Sequence, residues 1–347
     1  MFKTPKFWQA PNIIALALSP FSLIYLFFYF LIKFLTKTKS VKIKIICVGN
    51  LTAGGQGKTP TAIAIAKICD ELKIKYAFLS RGYQANYQGD LRKVEKNDLA
   101  SEVGDEPLEL SQIAPTYIAK NRYLGAKILS ESNQYDLLIL DDGLQNNHLK
   151  KDLKIVVIDE KIIFGNNLAL PAGPLREPIG FGLNNADLII FIGNQNNQLP
   201  NELTSRLTSE STKNLSENKI LRADLNVLNN ENFIGKKIIA FCGIAYPQKF
   251  FSTLEKLELN IVEKISFADH HSYSLKDLEN LMAKLAKNQN PQLNNYSDPN
   301  QTILLTTKKD WVKFSKEYQD KIFYLDIAIK FSDEDLIKTK LKKLVKC

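Results

Sequence analysis

No charged side chain stands between Gln9 and Ile32. Within that stretch Pro20-Phe-Ser-Leu-Ile-Tyr-Leu-Phe-Phe-Tyr-Phe-Leu-Ile32 is almost wholly apolar, and Lys33, Lys37, Lys39, Lys42 and Lys44 follow it. It is the only membrane-grade segment of the chain. Ser19-Pro20 reads as an N-cap followed by proline at the first helical position, which predicts a helix over residues 20–35. At ~1.5 Å per residue such a helix falls short of a ~30 Å hydrocarbon core. It is therefore expected to dock in the lipid interface, with its aromatic residues in lipid and the following lysines on anionic headgroups. A cleaved leader would need a small-residue site after the apolar run, where Thr-Lys-Thr-Lys stands instead. Burial against the next domain is the remaining alternative.

After Val41 the pattern shortens into buried strands alternating with apolar helices. Residues 41–48 read as a strand, then a glycine-rich loop, then a helix over 58–72, the opening unit of a parallel sheet. Residues 76–80, 116–119, 135–140, 154–158 and 187–192 supply further strands. From Asn201 to Asn218 the chain turns polar, as a linker or exposed excursion. A second alternation follows: strand 237–242, helix 247–257, strand 261–266, helix 274–286, strand 302–306, helix 309–316, strand 322–327 and helix 333–345. The expected organisation is an N-terminal apolar helix with its basic tail (1–40), a large α/β domain with a parallel sheet (41–222) and a smaller α/β domain (223–347).

The composition suits a soluble, enzyme-sized chain: 347 residues, 45% apolar, 24% charged. Net charge is +9, yet the basic residues form no Arg-rich block or aromatic-basic stripe, so no nucleic-acid partner is expected. Cys47, Cys69, Cys242 and Cys347 stand far apart without a CxxC pair, which points to a reducing compartment and away from zinc or disulfides.

Five segments carry candidate chemistry. Gly49-Asn-Leu-Thr-Ala-Gly-Gly-Gln-Gly-Lys-Thr-Pro60 lies between a strand and a helix, where backbone N–H groups cradle phosphate. Thr52, Ala53, Gly54, Gly55, Gln56, Gly57, Lys58 and Thr59 are its nucleotide-binding candidates, Lys58 for the outer phosphates and the Thr59 hydroxyl for magnesium. Thr52 stands where the strict P-loop pattern has glycine. Tyr135-Asp-Leu-Leu-Ile-Leu-Asp-Asp-Gly-Leu-Gln145 is a strand ending in paired carboxylates, the place where P-loop proteins present the acid on the magnesium side. Asp141 and Asp142 alternate on the strand, so they serve different purposes. Val103-Gly-Asp-Glu-Pro-Leu-Glu109 puts two acids at a helix start, either as dipole-stabilising caps or as a base and a metal ligand. Ser266-Phe-Ala-Asp-His-His-Ser-Tyr273 suits acid-base chemistry better than a metal. Leu170-Pro-Ala-Gly-Pro-Leu-Arg-Glu-Pro178 presents Arg176 to a phosphate oxygen or serves as a plain connector.

These segments, with Leu79-Ser-Arg-Gly-Tyr83 and Leu305-Thr-Thr-Lys-Lys-Asp-Trp-Val-Lys313, occur in the order seen in the tetraacyldisaccharide 4′-kinase family of lipid A synthesis, which the chain resembles over nearly its whole length. The resemblance implies a P-loop kinase at the cytoplasmic face of the inner membrane, monomeric, using ATP and Mg²⁺. It would phosphorylate the 4′-hydroxyl of a tetraacylated glucosamine disaccharide 1-phosphate to give lipid IVA. By family position Asp105 and His270 form the deprotonating dyad with Asp269 beside it. Glu106, Asp141, Asp142 and Gln145 form the magnesium side, with Asp142 also catalytic. Lys58 and Arg176 neutralise phosphate charge, and Glu177 assists. Asn146 replaces the usual His after Gln145, and Ala268 the usual Pro before Asp-His-His.

A membrane-associated GTPase switch is the alternative, because Thr307-Lys-Lys-Asp310 imitates a guanine-reading motif. Against it, Leu140 occupies the Asp position of the Asp-x-x-Gly switch ahead of Gly143.

Overall fold

The computed structural model describes residues 5–83, 85–194, 199–200, 203–204, 220–288 and 301–346. The expected linker over 201–218 lies outside them except for Leu203 and Thr204, as does Cys347. Thirteen strands are described: β1 (Lys44–Gly49), β2 (Tyr76–Ser80), β3 (Arg92–Val94), β4 (Thr116–Ile118), β5 (Leu137–Asp141), β6 (Leu153–Asp159), β7 (Leu188–Ile192), β8 (Ile220–Val227), β9 (Lys237–Cys242), β10 (Asn260–Ser266), β11 (Thr302–Thr307), β12 (Ile322–Leu325) and β13 (Ile327–Phe331).

Nine form one sheet in the order β13-β8-β7-β6-β1-β5-β2-β4-β3, parallel except for β3 and β13 at its edges. Helices cover both faces, so the central strands are buried on each side and read as continuous apolar runs rather than alternating ones. The helices Lys58–Glu71 and Glu334–Lys346 pack together on one face. The other four strands form a parallel sheet, β10-β9-β11-β12.

The division expected at residue 222 falls inside β8. The run 322–327, read as one strand, is two strands in different sheets. Asp326 separates them: its N–H donates to Asn229 Oδ1 (2.9 Å) and its carbonyl accepts from Leu228 N–H (2.9 Å). The chain thus leaves β12 and returns antiparallel to β8, bringing the C-terminal helix back to the large sheet. The helix expected over 309–316 is two short ones, Lys308–Trp311 and Lys316–Gln319.

The N-terminal helix is longer than expected, Ile13–Leu35, with Pro20 in its interior. Proline there deletes the hydrogen bond to the carbonyl four residues back, that of Leu16. Ser19 Oγ donates to the same carbonyl at 2.7 Å, and Asn12 caps the first turn by accepting from Ala15 N–H. Ser19 thus repairs the proline defect instead of capping a new helix. Its 23 residues reach ~34 Å, enough by length and composition to cross a membrane.

Candidate active site

Parallel register sets β1 against β5 with Val48 beside Asp141, so the loop leaving β1 and the acids ending β5 meet at the C-terminal ends of the two central strands. The loop is framed from within. Gln56 is buried, and its Nε2 donates to Thr52 Oγ1 (2.7 Å) and to Ile163 O (3.0 Å). Ala53 N–H donates to Pro174 O (2.7 Å). The Thr52 and Gln56 side chains and the Ala53 amide therefore shape the loop, while Gly54, Gly55, Gly57, Lys58 and Thr59 line the cleft. Gly57 caps the helix Lys58–Glu71 at φ +83°, where a Cβ would lie 2.6 Å from Ile192 Cδ1, so glycine is required.

Asp141 and Asp142 have opposite surroundings. Thr59 Oγ1 donates to Asp141 Oδ2 (2.7 Å), while Asp141 Oδ1 is buried without a hydrogen-bond partner. Burial, then the Glu106 charge, pushes the Asp141 carboxyl up to about 7, against the Thr59 bond and Lys58. Asp142 turns away in a left-handed conformation, φ +55°. There it meets Lys58 Nζ (3.2 Å) and receives two bonds from the Arg176 guanidinium (2.6 and 3.1 Å). Burial alone would raise its pKa, but the two cations hold it well below the carboxylate range. Glu177 accepts from Gln145 Nε2 (2.7 Å) and Tyr29 Oη (2.8 Å).

Asp105 opens the helix Asp105–Ser111, and His270 follows β10, on the other sheet. They meet at 2.8 Å, His270 Nδ1 to Asp105 Oδ2. Burial disfavours the Asp105 charge, but Lys309, His270 and Lys313 overcome it and hold the pKa well below the usual range. A carboxylate can only accept, so Nδ1 carries the proton. Lys309 Nζ lies 3.3 Å from His270 Nε2 and donates to Glu106 Oε1 (3.1 Å). His270 sits at φ +54°, a sparsely populated conformation for a side chain of its size, and its N–H donates to Asp269 Oδ1 (3.1 Å).

Both clusters open on one cleft of about 930 Å³. Lys58, Thr59, Asp141, Asp142, Arg176, Glu106 and His270 line it; Asp105 stands behind His270. Ile32 and Thr36, at the close of the N-terminal helix, line it as well.

The family model described as Tetraacyldisaccharide-1-P 4′-kinase matches residues 14–346. The tetraacyldisaccharide 4′-kinase of Rickettsia typhi is 38% identical over 339 residues, 98% of each chain. That of Rickettsia akari is 35% identical over 98% of this chain and 96% of its own. Among solved structures, LpxK from Aquifex aeolicus, crystallised in complex with ATP, aligns with a TM-score of 0.72 at 25% identity, covering 96% of this chain and all of that one. The chain belongs to the tetraacyldisaccharide 4′-kinase family.

Magnesium, which this family assignment raises, fits part of the expected donor set. The partnerless Asp141 Oδ1 and the repulsion between Asp141 and Glu106 are what a divalent cation relieves, and the Thr59 hydroxyl lies alongside. Among the described residues no three His, Cys, Asp or Glu side chains converge as a protein-only cage, so phosphate oxygens and water would complete the shell. Gln145 does not fit: its Nε2 donates to Asn50 O (3.1 Å) and Glu177, and its Oε1 accepts from Arg176 Nη1 (3.3 Å). Asp142 is already bonded to two cations, Lys58 and Arg176.

The GTPase alternative fails at Asp310. It is fully buried, accepting from Gly243 N–H (2.9 Å), Thr307 Oγ1 (2.9 Å) and Lys313 Nζ (2.9 Å), and reads no base. The same segment holds what sequence reasoning missed in the site. Lys309 is raised well above the lysine range, because Glu106 and Asp105 outweigh the burial that would lower it. Its signal was present in Leu305–Lys313 but resembled a guanine motif. Glu109, also lining the cleft, is pushed up to about 7 by burial, with Lys309 and Lys308 opposing.

Proposed function

We propose that the cleft transfers the γ-phosphoryl of ATP to the 4′-hydroxyl of a tetraacylated glucosamine disaccharide 1-phosphate, giving lipid IVA in lipid A biosynthesis. The single observation that carries this reading is the one cleft, lined at once by the phosphate loop, by the end of the apolar helix and by His270 with Asp105 bonded behind it.

The amides from Gly54 to Thr59 cradle the phosphates, and Lys58 and Arg176, aligned by Asp142, neutralise the charge that spreads over the transferring group. Thr59 and Asp141, with Glu106 near, are the residues that would hold magnesium, which would supply positive charge against the phosphate oxygens. The acceptor hydroxyl gives its proton to His270 Nε2, the basic atom facing the cleft, and displaces Lys309 from it. Asp105 behind Nδ1 then stabilises the imidazolium. Asp269 fixes the His270 backbone.

The helix Ile13–Leu35 lies along the membrane surface rather than through it. Its Ser22–Tyr25–Tyr29 side is bonded to the protein, while Phe21, Leu23, Ile24, Phe27, Phe28 and Phe34 are exposed. With ATP supplied from the cytoplasm, the protein works as a monomer on the cytoplasmic face of the inner membrane.

The test uses purified chain, magnesium, labelled ATP and detergent-dispersed tetraacylated disaccharide 1-phosphate. Transfer to the lipid, lost in Lys58→Ala and Asp105→Ala, is expected; GTP hydrolysis without any lipid phosphorylation would end the kinase reading.

A further inference from the structure

The segment 166–178, which carries Arg176 and Glu177, is stitched along both edges. Toward the phosphate loop, Arg176 N–H donates to Leu51 O (2.8 Å), and Ala53 N–H reaches back to Pro174 O. Toward the N-terminal helix, Ser22 Oγ donates to Ala169 O (2.8 Å) and accepts from Ala172 N–H (3.2 Å). Tyr25 Oη donates to Arg176 O (2.8 Å) and Tyr29 Oη to Glu177 Oε2 (2.8 Å). Steps of three and four place these three side chains on one helix face, and Lys33 ends it over the Phe181 ring at 3.9 Å.

Glu177 is 5% exposed, and its buried carboxyl oxygens are satisfied by two donors, Tyr29 and Gln145. Gln145 also accepts from Arg176, Arg176 binds Asp142, and Asp142 binds Lys58. An unbroken run of direct contacts thus joins the apolar helix to the phosphate-binding lysine. Burial raises both phenols above their ordinary pKa, and the Glu177 charge adds to it, so each stays a donor at any physiological pH. An anchor alone needs the exposed apolar side and the trailing lysines; phenols aimed inward at a buried carboxylate and at the Arg176 backbone serve something else.

We infer that Tyr25 and Tyr29 are positioning residues for phosphoryl transfer, through which the seating of the N-terminal helix sets the Arg176–Asp142–Lys58 arrangement. The inference rests on the reading of Arg176 as a phosphate ligand. It makes the lipid-facing helix part of the catalytic scaffold as well as its tether.

The experiment measures lipid phosphorylation by the full-length chain with Mg–ATP, beside co-sedimentation with phosphatidylglycerol-containing vesicles, for Tyr25→Phe, Tyr29→Phe, Glu177→Gln and Tyr29→Phe/Glu177→Gln. Tyr29→Phe removes one bond to a buried charge, so kcat should fall about tenfold while KM for the lipid and vesicle binding stay unchanged. The double variant should lose less than the product of the two single effects, because the phenol has no charge left to satisfy. That comparison holds even where Tyr29→Phe is poorly folded. Wild-type kcat in both phenylalanine variants, or a loss confined to vesicle binding and KM, would reduce the helix to an anchor and overturn the inference. Failure of the kinase reading would look different, as absence of transfer by the unaltered chain.

Discussion

Lys58, Thr59, Asp141, Asp142 and Arg176 are gathered at the C-terminal ends of central strands of the nine-stranded sheet, whereas Asp105, on a helix against that sheet, and His270, in the loop after β10 of the smaller one, are 165 positions apart. The phosphate half follows from strand register: once β1 pairs with β5, the loop after Val48 has Asp141 beside it. The proton half exists only while the smaller sheet rests on the larger. Val312 and Trp311 pack with Leu108 and Val103, and the Tyr246 ring overlies Gly54. A site divided in this way can hold ATP without a base in place, which limits transfer to water before the acceptor arrives.

Asp105→Asn is the sharpest way to separate the halves. Removing the carboxylate that orients His270 and stabilises the imidazolium formed on proton transfer should lower kcat by about 10²–10⁴-fold. Binding of a fluorescent ATP analogue should persist, whereas Lys58→Ala should abolish it. Equal loss of nucleotide affinity in the two variants would mean that the halves do not assemble separately.

The same division governs how much the sequence revealed. Residues 49–60 and 135–145 are local patterns whose chemistry follows from a strand, a turn and a helix, so the phosphate half was legible from the residues. The dyad was not, since nothing in Gly104–Pro107 or Asp269–His271 says that they touch; only the family resemblance joined them. Lys309 was missed for the same reason, its partners Glu106 and His270 being distant in the chain. In the fold, the alternation of elements was clear, but Pro20 misled because Ser19 repairs the helix behind it, and β13 was hidden because its first residue, Ile327, continues the apolar run of β12 past Asp326. Lys309→Met tests the missed residue, with an expected loss of about 10–100-fold in kcat/KM. Without it the Asp105 and Glu106 pKa values rise, so the acid limb of the pH profile should move to higher pH. A fall in activity with no such movement would leave Lys309 a packing residue.

Asp141 offers a smaller effect of opposite sign within the phosphate half. Its carboxyl, at about 7 in the fold and ~4 when unfolded, makes stability fall as pH rises between those values, with the full penalty above them. Asp142 and Asp105, held low, do the reverse: they stabilise above the unfolded value and lose that contribution as pH falls through their folded values. In magnesium-free buffer near pH 8, Asp141→Asn should therefore melt higher than the unaltered chain, by about 1–2 kcal/mol, while losing transfer activity. The gain should fade toward about pH 5, where the native carboxyl is already protonated. Magnesium should stabilise the unaltered chain more at the higher pH than at the lower. An Asp141→Asn variant that is less stable at every pH would remove the argument for a cation there.

The smallest effect belongs to the seam between the halves on the nucleotide side. Lys249, on the helix Pro247–Lys256 beside the smaller sheet, reaches Asp159 at the end of β6 in the larger one, 2.6 Å apart. Asp159 is 6% exposed and Lys249 23%, so the pair is only partly wet, and its worth should lie near the upper end of the ~0.2–1 kcal/mol found for rim ion pairs. Lys249→Gln should then raise KM for ATP by up to about fivefold and leave kcat alone, because it loosens the cover over the phosphate loop without touching His270 or Asp105. High salt should erase most of the difference from the unaltered chain. If kcat fell instead, with KM unmoved, the seam at Asp159 would be setting the dyad as well. The smaller sheet would then close as one rigid lid, its phosphate-side contacts inseparable from its proton-side ones.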